Sequence, residues 1–141
     1  IDYEPPRGGE VFISVNDGDK RNITAIARSI ARLGFSLVAT MGTARALRAS
    51  GIECEEVGKI HAGSHTILDR IASGEIVLMI NTPFGSSTNT DGYEMRAACV
   101  RHGVSYCTTL AGAQALIAGM EAVRETGLDV IALQDLPQWE G

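Results

Sequence analysis

Phe35-Ser36-Leu37-Val38-Ala39-Thr40-Met41-Gly42-Thr43-Ala44-Arg45-Ala46-Leu47 decides how the rest of the chain is read. Phe35 to Ala39 is an apolar run of strand length, and from Thr43 onward good helix formers take over, with only Thr40-Met41-Gly42 between them. The spacing predicts a strand end, a tight turn and a helix start, with Thr43 as N-cap. A helix beginning there leaves its first backbone N–H groups unpaired and carries partial positive charge, so Gly42, Thr43 and the Thr40 hydroxyl can face an anion. A phosphate at the carboxyl end of a buried strand is the chemistry this suggests. A capping Thr beside a turn Gly also occurs in α/β proteins that hold no ligand, so recurrence elsewhere in the chain has to decide.

Working outward, Glu10 to Val15 is a first strand, and Asn16-Asp17-Gly18-Asp19 is a turn whose Asp residues can cap the next helix. Ile23, Ile26, Ala27, Ile30 and Leu33 then fall at helical spacing until Gly34. After the helix that Gly51 closes, Ile52 to Val57 is a weaker strand with Cys54 at its middle. Gly58 to His65 is a polar, glycine-punctuated loop, and a helix follows from about Thr66 to Ser73. Ile76 to Ile80 is apolar without alternation, as expected of a strand buried on both faces of a parallel sheet. Asn81 to Gly92 reads as a long binding loop or flap. Tyr93 to His102 is a helix, Val104 to Cys107 a short strand, and Leu110 to about Thr126 a helix presenting Ala111, Ala115, Ile117, Ala118 and Ala122. Val130 to Leu133 can add a last strand, and 135–141 reads as a frayed tail.

Strands alternate with helices throughout, so the expected architecture is a three-layer α/β sandwich on a mostly parallel five-stranded sheet. Residues 10–134 form the domain, and the Pro5-Pro6 and Gly8-Gly9 region of 1–9 is a linker or tail. Ligands of such sheets bind beyond the carboxyl ends of the strands. That rule gathers Lys20, Thr40, Thr43, Lys59, Asn81, Thr82, Thr108 and Thr109 at one edge, and this is the recurrence sought.

The chain has 141 residues, 45% of them apolar, enough for one domain with its own core. A net charge of −5 with no Lys/Arg cluster argues against nucleic acid, while single lysines remain free for one small anion. Three cysteines, Cys54, Cys99 and Cys107, form neither a disulfide framework nor a zinc pattern and suit a reducing cytosol as small core residues. No apolar run reaches the roughly eighteen residues that span a bilayer. The N-terminus lacks a signal-peptide layout, and a start at Ile1 reads as a processed chain or a piece of a longer one.

Two lysines converging with hydroxyls and helix starts describe a phosphate monoester site, Lys20 and Lys59 as point charges and the Thr and backbone groups as donors. His61 and His65 have the spacing of helical zinc ligands, but Gly63 breaks the helix they need, so no metal is expected. Ser64-His65 with Asp69 lacks a nucleophile elbow, and the Gly42 region matches neither a Walker loop nor a dinucleotide fingerprint.

Taken together, Val11-Phe12-Ile13-Ser14-Val15 with Gly18-Asp19-Lys20, Gly34-Phe35 with Ala39 to Ala44, Val57-Gly58-Lys59-Ile60-His61, Asp69-Arg70-Ile71 with Gly74-Glu75, Ile80-Asn81-Thr82 and Thr108-Thr109-Leu110 carry a resemblance. The chain resembles the methylglyoxal-synthase-like fold family, and within it the C-terminal regulatory domain of the bacterial carbamoyl phosphate synthetase large chain. The resemblance implies a cytoplasmic, non-catalytic unit of an ATP-dependent ligase that makes carbamoyl phosphate from glutamine, bicarbonate and ATP for arginine and pyrimidine synthesis. ATP, Mg and K would belong to catalytic domains upstream of Pro5-Pro6, with no cofactor in this domain. The partners implied are those catalytic domains and, through them, the glutaminase small chain; a homo-oligomer is compatible with it. The effector implied is a nucleoside monophosphate of the UMP or IMP type, held by Lys20, Thr40, Gly42, Thr43, Lys59, Asn81, Thr82 and Thr109. Pro83 stands where some relatives have a second Thr, and Cys107 where some have an Asp associated with ornithine, which puts ornithine regulation in question. The competing reading from the same family is a methylglyoxal synthase acting on dihydroxyacetone phosphate. Its Gly-Gly-Asp base loop is Ala62-Gly63-Ser64 here, and a Ser hydroxyl cannot replace a carboxylate base at neutral pH.

Overall fold

A computed structural model describes residues 9–58, 66–83 and 90–126. Five strands alternate with five helices: β1 (Glu10–Ser14), α1 (Ile23–Arg32), β2 (Ser36–Thr40), α2 (Met41–Ala49), β3 (Glu55–Val57), α3 (Ile67–Ala72), β4 (Ile76–Asn81), α4 (Thr90–His102), β5 (Ser105–Cys107) and α5 (Leu110–Thr126). The sheet order is β3-β2-β1-β4-β5 and every pairing is parallel. This is the expected three-layer α/β sandwich. The proposed strand Val130 to Leu133 and the proline linker lie outside the described residues.

Because side chains alternate across a strand, each central strand feeds both faces. Val11 and Ile13 of β1, Leu37 and Ala39 of β2 and Ile80 of β4 pack with Ile23, Ile30, Leu47 and Ile117 of α1, α2 and α5. Phe12, Val38 and Met79 point the other way, into Ile67 and Ile71 of α3 and Met95, Ala98 and Cys99 of α4. Double-sided burial explains why Ile76 to Ile80 shows no polar alternation. One irregularity breaks the register: Glu10 faces Ile76 while Val11 already faces Leu78, so Val77 is an extra residue in β4.

The layering fixes where the sheet opens. The helix leaving β1 lies on one face, and the helix leaving β4, its neighbour, lies on the other. At the carboxyl ends of β1 and β4 the chain therefore departs in opposite directions and leaves a crevice, the topological switch point of a doubly wound sheet.

Several boundaries differ from the sequence expectation. α2 begins at Met41 with Thr40 as its N-cap, so Thr43 is not the cap but lies inside the first turn. The strand passes directly into the helix, and no turn separates them. Asp17–Asp19 is a separate 3-10 turn, capped by Asn16 Oδ1, which accepts from the Asp19 N–H at 3.0 Å; α1 starts after Asn22 without a side-chain cap. β3 is short and excludes Cys54. α4 starts at Thr90, which truncates the loop expected over Asn81 to Gly92; residues 84–89 of that loop lie outside the described residues. Only Ala113 and Ile117 of α5 are buried, while Ala111, Ala115, Ala118 and Ala122 are exposed. By contrast, Gly34 ends α1 with φ of 99°, a left-handed conformation that glycine alone adopts freely.

Candidate functional site

Ser14, Thr40 and Asn81 each follow, two residues on, a side chain of the second core (Phe12, Val38 and Met79). They occupy the same sheet face at its carboxyl edge, and Ser14 and Asn81 are register partners across the switch point. Thr40 Oγ1 lies 3.2 Å from Ser14 Oγ and 3.5 Å from Thr43 Oγ1. Thr43, 1% exposed, accepts from the Val15 N–H at 3.1 Å, which pins α2 to the end of β1. A hydroxyl whose oxygen accepts one bond keeps its hydrogen, so Ser14 and Thr43 remain donors.

Thr40 holds the N-cap position yet makes no side-chain cap bond, its hydroxyl being turned to Ser14 and Thr43. The first N–H groups of α2 thus lack the acceptor that a capping Thr normally supplies, and the positive end of the helix dipole faces the crevice. Lys20 brings a full charge to the same point. A Cβ added at Gly42 would stand 2.9 Å from Lys20 Nζ, so the ammonium rests on the bare backbone of the first turn. Lys20 Nζ also donates to the Asp17 carboxylate.

Asn81 is the site's unusual member. It is 0% exposed, and among the described residues neither Nδ2 nor Oδ1 has a hydrogen-bond partner. Burying an amide unpaired costs about 1–3 kcal/mol on mutational scales, so native structures rarely keep one without a use for it. The edge of the crevice is laced shut: Thr82 Oγ1 accepts from the Asn16 N–H at 2.9 Å, the Thr82 N–H donates to the Ser14 carbonyl at 3.1 Å, and Asn16 Nδ2 donates to the Pro83 carbonyl at 2.7 Å.

The structure thus brings Lys20, Thr40, Gly42, Thr43, Asn81 and Thr82 to one edge. Thr109 stands after β5, where its Oγ1 accepts from the Gly112 N–H at 3.0 Å and caps α5. Lys59, like His61, Ser64 and His65, lies outside the described residues. Sequence reasoning passed over Ser14, Asn16 and Asp17 as site members. The one available signal was Ser14 itself, a polar residue among Val11, Phe12, Ile13 and Val15 at the last position of a buried strand.

Other quoted motifs prove to be scaffold. Asp69 closes a capping box with Thr66, and Ile71 is 1% exposed in the second core. Arg70 donates to Glu55 and to Glu10 (3.1 Å), tying the amino ends of β3 and β1; the hydrogen bond with Glu55 is the main cause that raises its pKa further. A groove of about 970 Å³ also opens at the amino ends, between Arg28, Phe35, Gly51 and Ile52, at the edge opposite the donor set. Burial pushes all three thiols up, Cys99 to about 11, so they are poor nucleophiles at neutral pH. Among the described residues no helix is long and apolar enough to cross a membrane.

A parallel, doubly wound sheet with hydroxyl, amide and ammonium groups gathered at its switch point defines the class: a three-layer α/β domain of the doubly wound kind. The family model of the MGS-like domain matches residues 22–108, and the chain belongs to that family. It is 49% identical over 135 residues to the carbamoyl phosphate synthase large chain, C-terminal section, of Methanopyrus kandleri, covering 95% of this chain and 25% of that one. The carbamoyl phosphate synthase large chains of Corynebacterium glutamicum (44% over 137 residues) and Myxococcus xanthus (42% over 130) match 93% and 92% of this chain and 12% of their own length. The chain therefore spans a quarter or less of these relatives. The crystal structure of ForH superposes with a TM-score of 0.61 at 20% identity, covering 84% of this chain and 80% of that one, a likeness of fold alone.

Proposed function

We propose that this chain is the effector-binding domain of a carbamoyl phosphate synthase large chain and that its cup takes the phosphate of a nucleoside monophosphate of the UMP or IMP type. The observation that carries the reading is Asn81: a fully buried amide with neither end partnered among the described residues, across β1 from a helix start that its own N-cap leaves open. In this reading Lys20, with Lys59 from the segment that follows β3 in sequence, supplies positive charge. Ser14, Thr43 and the Gly42 backbone donate to phosphate oxygens, Thr40 joins them when its hydroxyl rotates from Ser14 and Thr43 to the ligand, and Asn81 bonds the phosphate or ribose. Thr82 and Thr109 each accept one backbone N–H and keep a hydroxyl hydrogen for the ligand.

Regulation then follows from differential affinity. An effector shifts the large chain only if it binds one of its states more tightly than the other, with coupling of about 1–3 kcal/mol in typical systems. The catalytic partner in this proposal is the remainder of the same large chain and, through it, the glutaminase small chain. The assembly works in the cytoplasm, supplying carbamoyl phosphate for pyrimidine and arginine synthesis. ATP, Mg and K act there, and this domain uses no cofactor.

Calorimetric titration with UMP, IMP, the corresponding nucleosides and inorganic phosphate tests the reading. Binding of the monophosphates and phosphate, with the bare nucleosides at least tenfold weaker, supports it; no heat from any phosphate compound refutes it. The methylglyoxal synthase alternative is tested by phosphate release from dihydroxyacetone phosphate. None is expected, because Ser64 stands where that chemistry needs a carboxylate.

A further inference from the structure

We infer that Asp17 is a built-in competitor of the ligand: its carboxylate occupies the Lys20 ammonium in the empty cup and must be displaced before phosphate can use that charge. The inference rests on the proposed function, since it concerns the same cup.

The turn that carries Asp17 is fixed while its side chain is not. Asn16 anchors the turn at three points, accepting from the Asp19 N–H (3.0 Å), donating from Nδ2 to the Pro83 carbonyl (2.7 Å) and donating its own N–H to Thr82 Oγ1 (2.9 Å). The Asp17 side chain is 93% exposed, and Lys20 is its only partner among the described residues. Lys20, in contrast, is only 24% exposed and is pressed onto Gly42 at the start of α2. One member of the pair is held in the cup and the other hangs in water, an arrangement suited to exchange. A phosphate entering over Gly42 meets Lys20 from the cup side, and Asp17 swings out at little cost because water already surrounds it. The Asp17 carboxylate does not reach the buried Asn81 amide, which has no partner among the described residues.

The physical consequence is a threshold. Pairing with Asp17 stabilises the empty state, because Lys20 would otherwise sit uncompensated against the positive end of a helix dipole. Stabilising the empty state raises the ligand concentration needed to fill the site. Exposed pairs are worth little, so the effect on affinity is about two- to fivefold and shrinks as salt is added.

The test follows the amide resonances of Gly42 and Thr43 during titration with methyl phosphate at pH 8 and low salt. The proteins are the wild-type chain, Asp17→Asn, Lys20→Ala and the double variant. Asp17→Asn is expected to bind about two- to fivefold more tightly than wild type, and the gain is expected to vanish in the Lys20→Ala background, because Asp17 acts through that lysine. Equal or weaker binding by Asp17→Asn would overturn the inference and make Asp17 a positioning residue for Lys20. A gain that persists without Lys20 would also overturn it. If wild type shows no saturable shift with methyl phosphate, the cup itself is misread and the proposed function falls first.

Discussion

Replacing Asn81 by Leu should make the empty protein more stable and the ligand-binding protein worse. Leu has nearly the shape of Asn and branches at the same atom, so it enters the site without a new cavity, next to Phe12 and Met79 of an already apolar layer. What it removes is an amide that is 0% exposed and unpartnered at both ends among the described residues. Relief of that desolvation should raise unfolding free energy by about 1–2 kcal/mol. For a chain of this size the rise corresponds to about 3–8 °C in Tm. Binding should move the opposite way: losing a hydrogen bond to a charged group costs about 1.5–3 kcal/mol, or roughly 10- to 150-fold in Kd. Paired thermal melts with and without UMP read both quantities. At a hundred times Kd the wild type should gain about 2.7 kcal/mol from ligand, while Asn81→Leu at the same concentration should gain only about 0.3–1.4 kcal/mol. A variant that melts lower than wild type, or that keeps its response to UMP, would show that the amide is satisfied by the protein and is not a ligand contact.

Gly42→Ala places a methyl 2.9 Å from Lys20 Nζ; the flexible tip yields, so stability should hold or rise by up to about 1 kcal/mol from helix propensity while phosphate affinity drops about tenfold. Lys59→Ala should weaken monophosphate binding by about tenfold or more with Tm nearly unchanged, and an unaltered dissociation constant would remove Lys59 from the site. Cys99, 0% exposed, has its thiol raised to about 11 by burial, so the folded state holds a proton that the unfolded chain releases near pH 9. Its contribution is complete below pH 9 and is lost as pH climbs to 11; alkaline melts of Cys99→Ala should show a shallower decline than wild type.

The alternation of strands and helices was legible because buried parallel strands leave strong marks: Val11 to Ile13 and Ile76 to Ile80 are apolar without interruption, and Gly34 and Gly51 stop helices that have apolar stripes. Edge strands were harder. The third strand was expected over Ile52 to Val57, but only Glu55, Glu56 and Val57 pair, with Val38, Ala39 and Thr40, and their polar character gives no mark of where pairing begins. The helix start was misplaced because Thr40 and Thr43 are equally good caps by residue type. The choice of Thr40 comes from tertiary structure: Thr43 Oγ1 is needed by the Val15 N–H, a partner 28 positions away that local pattern does not reveal. Ser14 and Asn16 were passed over for the same reason, since their roles rest on contacts with Thr40, Thr82 and Pro83. Lys20 and the threonines at strand ends were visible at once, because the sheet rule needs only topology to gather them.

Thr40 is at once the last residue of β2 and the cap of α2. Such a joint has no slack. A ligand that pulls on the Gly42 or Thr43 amides pulls equally on a central strand wedged between two others, and that strand cannot slide without tearing both ladders. Under the proposed function the floor of the cup is an anvil, so variants that alter effector choice without altering phosphate affinity should map away from this hinge-free corner.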